Sequence, residues 1–295
     1  MTEIKLSSKD WVALKPTWCP GCGDFGVLSA TRKSLVNVQW KTEDTVVVSG
    51  IGCSSNFPHF VGGYGIHSLH GRANPVAQGI KMANPDLNVV VAGGDGDGLA
   101  IGIGGFLHAA RRNMDLTYII MDNQVYGLTV NQASPTSTLD RKTRSTPYGN
   151  IENPLNPIAL ALAAGATFVA RVFSKEGKQF EEVVQKAMEH KGFAFIDALS
   201  PCVTFNKLNT YDYFKDRVYD LNEDGSHDTS DLNAAFARAQ EWENQDKIPL
   251  GIFYQRDLPA YEELDQTMRM TGNVVKRGPQ HLSEEAQKSI SANFR

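Results

Sequence analysis

The sequence predicts an α/β protein built on one doubly wound, mostly parallel sheet with helices on both faces. Short apolar runs rich in β-branched residues recur along the chain, and each ends in Gly, Asn, Ser, Asp or Gln. Helix-like segments stand between them, and this alternation of strand and helix favours a doubly wound sheet. The chain has 295 residues, 41% of them hydrophobic and 21% charged, which is enough for a sizeable core.

The predicted strands are continuous apolar runs, which is typical of strands buried on both faces. In chain order they are "TVVVSGIG" (45–52), "LNVVVAGGDG" (87–96), "LTYIIMDN" (116–123), "TFVARVFS" (167–174), "AFIDALS" (194–200) and "PLGIFYQ" (249–255). Helices are predicted between them at 75–84, 98–113, 157–165 and 175–192. In the last of these, Phe180, Val183, Val184 and Met188 share one face.

Three segments follow from this pattern. Residues 1–44 form an N-terminal arm that contains a Cys-x-x-Cys pair and no apolar run suited to a buried strand. Residues 45–256 form the main domain, and residues 257–295 form a polar, helical C-terminal tail. Residues 124–156 are rich in Ser, Thr, Pro and Asn without a clear period, which predicts a long functional loop.

Composition argues against several kinds of partner. The formal net charge is −4 and the basic residues are scattered, so we expect no binding to nucleic acid or to an anionic membrane. No signal-like N-terminus or membrane-length apolar run is found, so a cytoplasmic protein is expected. Four cysteines are too few for a disulfide scaffold, and they are expected to be buried, metal-bound or catalytic.

Ligands of open parallel sheets bind at the carboxyl ends of the strands. A Gly-rich turn, "GGDGDG" (93–98), follows the second predicted strand and could approach a phosphate closely. It is neither a spaced dinucleotide-binding pattern nor a P-loop. Asp95 in this turn could hold a divalent cation, and Asn123, at the end of the next strand, would be its neighbour.

The pair Cys19 and Cys22 in "TWCPGCGDFG" has several possible roles. A thioredoxin-like dithiol is disfavoured because no strand precedes it. Half of a zinc site, a corner of an iron–sulfur site and a simple turn remain open. Cys53 and Cys202 also follow predicted strands, so they are expected at the same edge as the Gly-rich turn.

The segment from Gly94-Asp95-Gly96 to Asp122-Asn123 resembles the thiamine-diphosphate fingerprint, although many relatives have Asn where this chain has Asp122. The resemblance implies a thiamine-diphosphate-binding domain with N- and C-terminal extensions. By this resemblance, Asp95, Asn123 and the carbonyl of Val125 bind Mg²⁺ on the diphosphate. The diphosphate or the ring is then lined by Gly96, Asp97, Gly127 and Leu128.

The motifs "WCPGCGDFG", "GIGCSS", "HGRA", "GGDGDG", "MDNQVYGLT" and "PCVTFN" occur in this order. Together they resemble the beta subunits of 2-oxoacid:ferredoxin oxidoreductases, from residue 15 to about 254. The resemblance implies that one [4Fe–4S] cluster is held by Cys19, Cys22, Cys53 and Cys202. A structural zinc-binding subunit and an iron-free thiamine-dependent decarboxylase or synthase subunit are the alternatives.

The same resemblance implies roles for residues around the cofactor. His70 would contact the thiamine, while Ile51, Gly52, Cys53 and Ser54 would pass between cofactor and cluster. The substrate-proximal positions are Asn56 and Leu128. Relatives often carry a basic residue at the position of Asn56, so the sequence does not predict a charge pairing with substrate there.

The implied reaction is a CoA-dependent oxidative decarboxylation of a 2-oxo acid, reversible in principle, with single electrons passing through the cluster to a separate ferredoxin. 2-Oxoglutarate, giving succinyl-CoA, is the favoured substrate, and pyruvate or broad specificity is the alternative. No acid–base residue is predicted in this chain. The activating Glu is expected on an alpha, or fused gamma–alpha, partner subunit.

A calcium-loop-like pattern at 220–231, "DLNEDGSHDTSD", is interpreted differently. It has His227 where a calcium loop has an aliphatic residue, and it ends in Asp231 rather than Glu. A polar turn that caps a helix beginning near Asp231 is the preferred interpretation.

Overall fold

The computed structural model describes residues 6–223, 225–244, 246–271, 273–277 and 283–292. An eight-stranded sheet forms its centre, with the spatial order β2-β1-β3-β4-β6-β5-β8-β7. The strands are β1 (Thr45–Ser49), β2 (Tyr64–His67), β3 (Asn88–Gly94), β4 (Leu116–Asp122), β5 (Phe168–Phe173), β6 (Phe193–Leu199), β7 (Val218–Asp220) and β8 (Ile248–Gln255). Among these strands only the β5–β8 pairing is antiparallel, which confirms the predicted mostly parallel sheet.

Helices cover both faces of the sheet. They are α1 (Asp24–Asn37), α2 (Ala73–Ala83), α3 (Ile103–Arg112), α4 (Pro157–Ala163), α5 (Gly177–Glu189), α6 (Tyr211–Lys215), α7 (Leu232–Asn244), α8 (Tyr261–Leu264), α9 (Gln266–Thr271) and α10 (Glu284–Ala292). Side chains of α1 and α5 share one buried core with the strands. Side chains of α2, α3, α4 and α7 share the core on the opposite face, so the fold is doubly wound as predicted.

All six predicted strands are present, with ends within a few residues of the expected positions. Two strands were missed. β2 is an exposed edge strand of four residues, and β7 has three residues, so neither forms a continuous apolar run. Helix α1 was also missed, because its buried Val27, Leu28 and Leu35 are spread among polar residues in an arm that otherwise lacks periodicity.

Residues 124–156 contain no helix or strand, as the sequence predicted, apart from an isolated bridge between Tyr126 and Gln132. The predicted helix at 98–113 is divided. A π-helical turn, Asp97–Ile101, comes first and α3 follows after Gly102. This irregular start places Asp97 and Gly98 in the buried interior at the carboxyl end of β3.

The described part of the C-terminal tail is largely helical, as expected. Within the residues that the structure describes, we find no helix with the length and apolar character needed to cross a membrane. The segment boundaries at residues 44 and 256 remain predictions, because α1 shares its buried core with the strands.

Candidate active site

A cavity of about 430 Å³ opens at the carboxyl ends of β1, β3 and β4. It is the edge at which the sequence predicted ligand binding. The predicted residues that line it are Ile51, Gly52, Cys53, Ser54, His70, Asp95, Gly96, Asp97, Asn123, Val125, Gly127 and Leu128. Gly94, Tyr126, Thr129 and Gln132 complete the lining.

Two buried carboxyl groups, Asp95 and Asp122, share one hydroxyl group at the floor of the site. Thr136 Oγ1 lies 2.7 Å from Asp95 Oδ2 and 2.9 Å from Asp122 Oδ1. A hydroxyl has one hydrogen, so Thr136 cannot donate to both at once. Burial raises the pKa of Asp95, and burial together with the nearby Asp95 and Asp197 raises the pKa of Asp122 well above the usual range. Negative charge at this pair therefore needs a cation to balance it.

Asn123 follows β4 and is held by two loops. Its Oδ1 accepts the backbone N–H of Val125 at 3.0 Å, and its carbonyl accepts a hydrogen bond of 2.9 Å from Asn206 Nδ2. Asn206 is buried and lies four residues after Cys202. The segment that carries the predicted magnesium ligands is thus tied directly to the segment that carries a predicted cluster ligand.

Asp97 lines the same cavity, but its carboxylate is engaged by neighbouring loops. Its Oδ1 accepts the N–H of Ile51 at 2.9 Å and the N–H of Gly71 at 2.7 Å, and it lies 2.8 Å from His70 Nδ1. These partners come from the loop after β1 and the loop after β2. Asp97 therefore joins three segments around the cavity.

Tyr126 was not predicted as a site residue, yet it forms one wall of the cavity. Its hydroxyl donates to the carbonyl of Gly96 at 3.0 Å. A Cβ atom at position 96 would lie 2.2 Å from the Tyr126 ring, so Gly96 is required for this close approach. The glycine of the fingerprint thus accommodates a protein ring, a contact that sequence spacing alone does not reveal.

The Cys-x-x-Cys turn lies beside the loops that carry the other two cysteines. Trp18 Nε1 donates to the carbonyl of Cys53 at 2.6 Å. The N–H of Gly23, directly after Cys22, donates to the carbonyl of Pro201 at 3.1 Å. The N-terminal arm therefore folds back to the carboxyl edge of the sheet.

The thiols of Cys53 and Cys202 converge on Gly127. A Cβ atom at Gly127 would stand 3.6 Å from Cys53 Sγ and 3.7 Å from Cys202 Sγ, so the absence of a side chain keeps the space between the thiols open. Burial raises the pKa of Cys53 to about 11, and the neighbouring Asp24 and Cys202 add to the shift. Burial and Asp24 raise the pKa of Cys22 as well. All four cysteines are free thiols.

Within the described part of the chain, no three or more His, Cys, Asp or Glu side chains are close enough together to surround a single metal ion.

Asn56 lies outside the cavity lining, in the short helical segment after Cys53. Its amide is 3.4 Å from the Cys53 carbonyl. Leu128, the other predicted substrate-proximal residue, lies at the cavity wall with 57% of its surface exposed. Thr136 and Asn206 carry contacts at the site that the sequence analysis missed, because hydroxyl and amide residues in loops have no distinguishing pattern.

The calcium-like segment serves the fold in the way the sequence predicted. Asp231 Oδ1 accepts the N–H groups of Asn233 and Ala234 at the start of α7. Asn222 pairs with both backbone groups of Ile252 in β8. Asp224 lies outside the described residues.

The fold described above is that of the thiamine-pyrophosphate-binding domain of a class of enzymes. Residues 50–198 match the family model described as "Thiamine pyrophosphate enzyme, C-terminal TPP binding domain". Residues 202–269 match the model for the C-terminal part of the beta subunit of pyruvate ferredoxin oxidoreductase.

Curated relatives make this more specific. The chain is 46% identical over 277 residues to the 2-oxoacid:ferredoxin oxidoreductase subunit beta of Saccharolobus solfataricus, covering 90% of this chain and 87% of that protein. It is 40% identical to the 2-oxoglutarate synthase subunit KorB of Methanocaldococcus jannaschii, covering 83% and 90% respectively. The chain belongs to the family of 2-oxoacid:ferredoxin oxidoreductase beta subunits.

A solved structure is similar over almost the whole chain. It is the 2-oxoglutarate:ferredoxin oxidoreductase from Magnetococcus marinus with 2-oxoglutarate, coenzyme A and succinyl-CoA bound. The TM-score is 0.86 at 42% identity, covering 97% of this chain and 96% of that chain. The described residues therefore share their fold with a chain of that oxidoreductase.

Proposed function

We propose that this chain is the cofactor-binding and cluster-binding subunit of a 2-oxoacid:ferredoxin oxidoreductase that converts 2-oxoglutarate and CoA to succinyl-CoA and CO₂. One observation carries the proposal: Cys53, Asp95 and Asn123 line a single cavity. A hydrogen bond from Asn206 to Asn123 ties that cavity to the segment of Cys202, and a hydrogen bond from Gly23 to Pro201 ties the Cys22 turn to the same segment. A substrate carbon bound in the cavity and the electron-accepting cluster would then be separated only by the short loop that carries Cys53.

Mg²⁺ would be held by Asp95, Asn123 and the carbonyl of Val125. The donors suit the ion, because Mg²⁺ prefers hard oxygen ligands and the buried Asp95 carboxylate needs a balancing cation. Thiamine diphosphate, when bound, supplies an electron sink for the bond to the departing CO₂. Gly96, Gly127 and Leu128 would shape the diphosphate and ring sites.

A [4Fe–4S] cluster would be held by Cys19, Cys22, Cys53 and Cys202, and it would supply a one-electron acceptor. Cys53 is central because its loop lines the cavity and its carbonyl is bonded to Trp18 beside Cys19. Cys19 is exposed, so an external ferredoxin could approach the cluster from that side.

A partner subunit is part of the proposal. The aminopyrimidine of thiamine needs a carboxylate to activate it. Of the two carboxylates of this cavity, Asp95 is assigned to Mg²⁺ and Asp97 is bonded to neighbouring loops. The exposed apolar side chains of Ile51 and Leu128 at the cavity are suited to contact with another chain. An alpha, or fused gamma–alpha, subunit would supply the activating Glu and cover this surface in the cytoplasm.

The first experiment tests the metal content. The complex with its alpha partner, purified without oxygen, is expected to show a broad visible band and about four iron atoms per chain in excess of any iron in the partner. The Cys202→Ser variant should lose that iron, while a serine variant of a non-ligand position, Ala292→Ser, should keep it. Colourless protein containing zinc would support the structural zinc alternative and overturn the proposal.

The second experiment tests the substrate. Viologen reduction by the complete complex with CoA is compared for 2-oxoglutarate and pyruvate. We expect a higher kcat/KM for 2-oxoglutarate, in line with the M. jannaschii relative and the M. marinus structure. Equal or greater values with pyruvate would favour the pyruvate or broad-specificity alternative. CO₂ release without viologen reduction would favour an iron-free decarboxylase.

A further inference from the structure

His70 lines the cavity. Its Nδ1 faces Asp97, and its Nε2 lies on the opposite side of the ring. Its side chain is 39% exposed, and Nδ1 is 2.8 Å from Asp97 Oδ1. Asp97 is buried and its Oδ1 also accepts the N–H groups of Ile51 and Gly71. Because Asp97 Oδ1 accepts both backbone N–H groups, it is also the acceptor in its contact with His70, so His70 Nδ1 must carry the proton.

This tautomer leaves a lone pair on His70 Nε2. Among the described residues, Nε2 makes no hydrogen bond, and the ring packs beside Tyr126 with a centroid distance of 6.3 Å. The ring position is therefore fixed from two sides, by a buried carboxylate and by an aromatic wall of the cavity.

We propose that Asp97 and His70 form a carboxylate–imidazole pair, in which His70 Nε2 is the proton acceptor that this chain contributes to the reaction and Asp97 is its positioning residue. This inference rests on the function proposed above. It changes the role expected for Asp97, which was to line the diphosphate.

Conversion of a 2-oxo acid and CoA to a thioester and CO₂ releases two electrons and one proton. The two electrons would leave one at a time through the cluster to ferredoxin, as proposed above. The proton comes from the CoA thiol, whose S–H bond breaks as the C–S bond of the thioester forms, so the reaction needs a proton acceptor. Nε2 takes up the proton, and the imidazolium is balanced by the buried Asp97 carboxylate at 2.8 Å.

The geometry allows the effect of the Asp97 charge to be tested separately from the effect of the Asp97 hydrogen bonds. All three donors bond to the same oxygen, Oδ1, and an asparagine oxygen at that position can accept all three. Asp97→Asn therefore keeps the loops and the His70 tautomer and removes only the negative charge. A purely structural role predicts that this variant behaves like the wild type.

The experiment measures viologen reduction by the complete complex with 2-oxoglutarate and CoA. We expect His70→Gln to lower kcat by about 100-fold and Asp97→Asn by about 10-fold or more. KM for 2-oxoglutarate and the affinity for thiamine diphosphate should stay within about 2-fold, as for substitutions without structural effect. Because Asp97 acts through His70, the double variant should have the kcat of His70→Gln alone.

His108→Gln is the matched control, since His108 lies on α3 and outside the cavity lining. Wild-type kcat in His70→Gln or in Asp97→Asn, or a double variant with multiplied losses, would overturn the inference. A wild-type complex that does not reduce viologen with 2-oxoglutarate and CoA would instead overturn the proposed function, so the two failures can be distinguished. His70 is half-exposed, so its replacement is not expected to prevent folding.

Discussion

Asp97 and the pair formed by Asp95 and Asp122 are buried side by side at the carboxyl edge of the sheet. They differ in the hydrogen-bond donors that surround them. Asp97 has two backbone N–H groups and an imidazole bonded to one oxygen. Asp95 and Asp122 share the single hydroxyl of Thr136, and Asp122 Oδ1 also accepts the N–H of Gln124, while Asp122 Oδ2 is buried without a hydrogen-bond partner among the described residues. A carboxylate surrounded by donors holds loops in place, whereas a crowded pair short of positive charge is prepared for a cation.

Asp95→Asn should have the largest effect on this comparison. Loss of the carboxylate removes the charge that attracts the metal, so the affinity for thiamine diphosphate with Mg²⁺ should fall by on the order of 100-fold or more. Fluorescence titration of the complex measures the affinity, and Glu182→Gln on the exposed face of α5 is the control. If the affinity for thiamine diphosphate were unchanged in Asp95→Asn, Asp95 would not be the carboxylate that attracts the metal, and its contrast with Asp97 would fail.

Thr136→Val should have an intermediate effect. The change preserves shape but leaves two buried carboxyl groups without their shared hydroxyl, at a cost of about 1–3 kcal/mol. The melting temperature of the metal-depleted complex should therefore fall, and Mg²⁺ with thiamine diphosphate should narrow the difference because the cation balances the pair. Thr42→Val is the control, because the Thr42 hydroxyl is hydrogen-bonded to the exposed Glu43. It should change neither the melting temperature of the metal-depleted complex nor that of the complex with Mg²⁺ and thiamine diphosphate. If Thr136→Val lowered the melting temperature equally with and without Mg²⁺, the cation would not balance the charge of the Asp95–Asp122 pair.

Much of the site could be predicted from the sequence because strand ends carry chemistry in this fold. The runs that end in Gly50-Ile51-Gly52, Gly94-Asp95-Gly96 and Asp122-Asn123 are adjacent parallel strands, so their side chains had to meet at one edge. The cysteines could be grouped for the same reason, since Cys53 and Cys202 follow β1 and β6.

The direction of individual side chains could not be predicted in that way. Asp95 and Asp97 are two residues apart in one Gly-rich turn, and a cofactor role was expected for both. Which carboxylate faces donors depends on the loops after β1 and β2, and β2 itself has no apolar pattern to reveal it. Thr136 and Asn206 reach the site from long loops, where only tertiary packing decides which hydroxyl or amide is buried.

The smallest effect on cofactor binding is expected for Asp122→Asn, which also tests the protonation of the pair. Asparagine can still accept from Thr136 and from the N–H of Gln124, so affinity for thiamine diphosphate should stay within about 2-fold. Burial and the neighbouring Asp95 and Asp197 raise the pKa of Asp122 well above the usual range. The folded chain therefore keeps a proton at Asp122 up to a higher pH than the unfolded chain does.

Such a group stabilises the fold fully below the ordinary carboxyl pKa, and its contribution is lost as the pH rises toward its folded value. The wild-type complex without metal should thus lose melting temperature relative to Asp122→Asn between pH 5 and pH 8, by roughly 2–4 °C for each kcal/mol. Asp197→Asn is the matched comparison, because it leaves the fully buried Arg171 without its 2.8 Å carboxylate partner and should destabilise at every pH in this range. An Asp122→Asn variant that lost cofactor affinity as Asp95→Asn does would make Asp122 a metal ligand, and the distinction between the two members of the pair would fail.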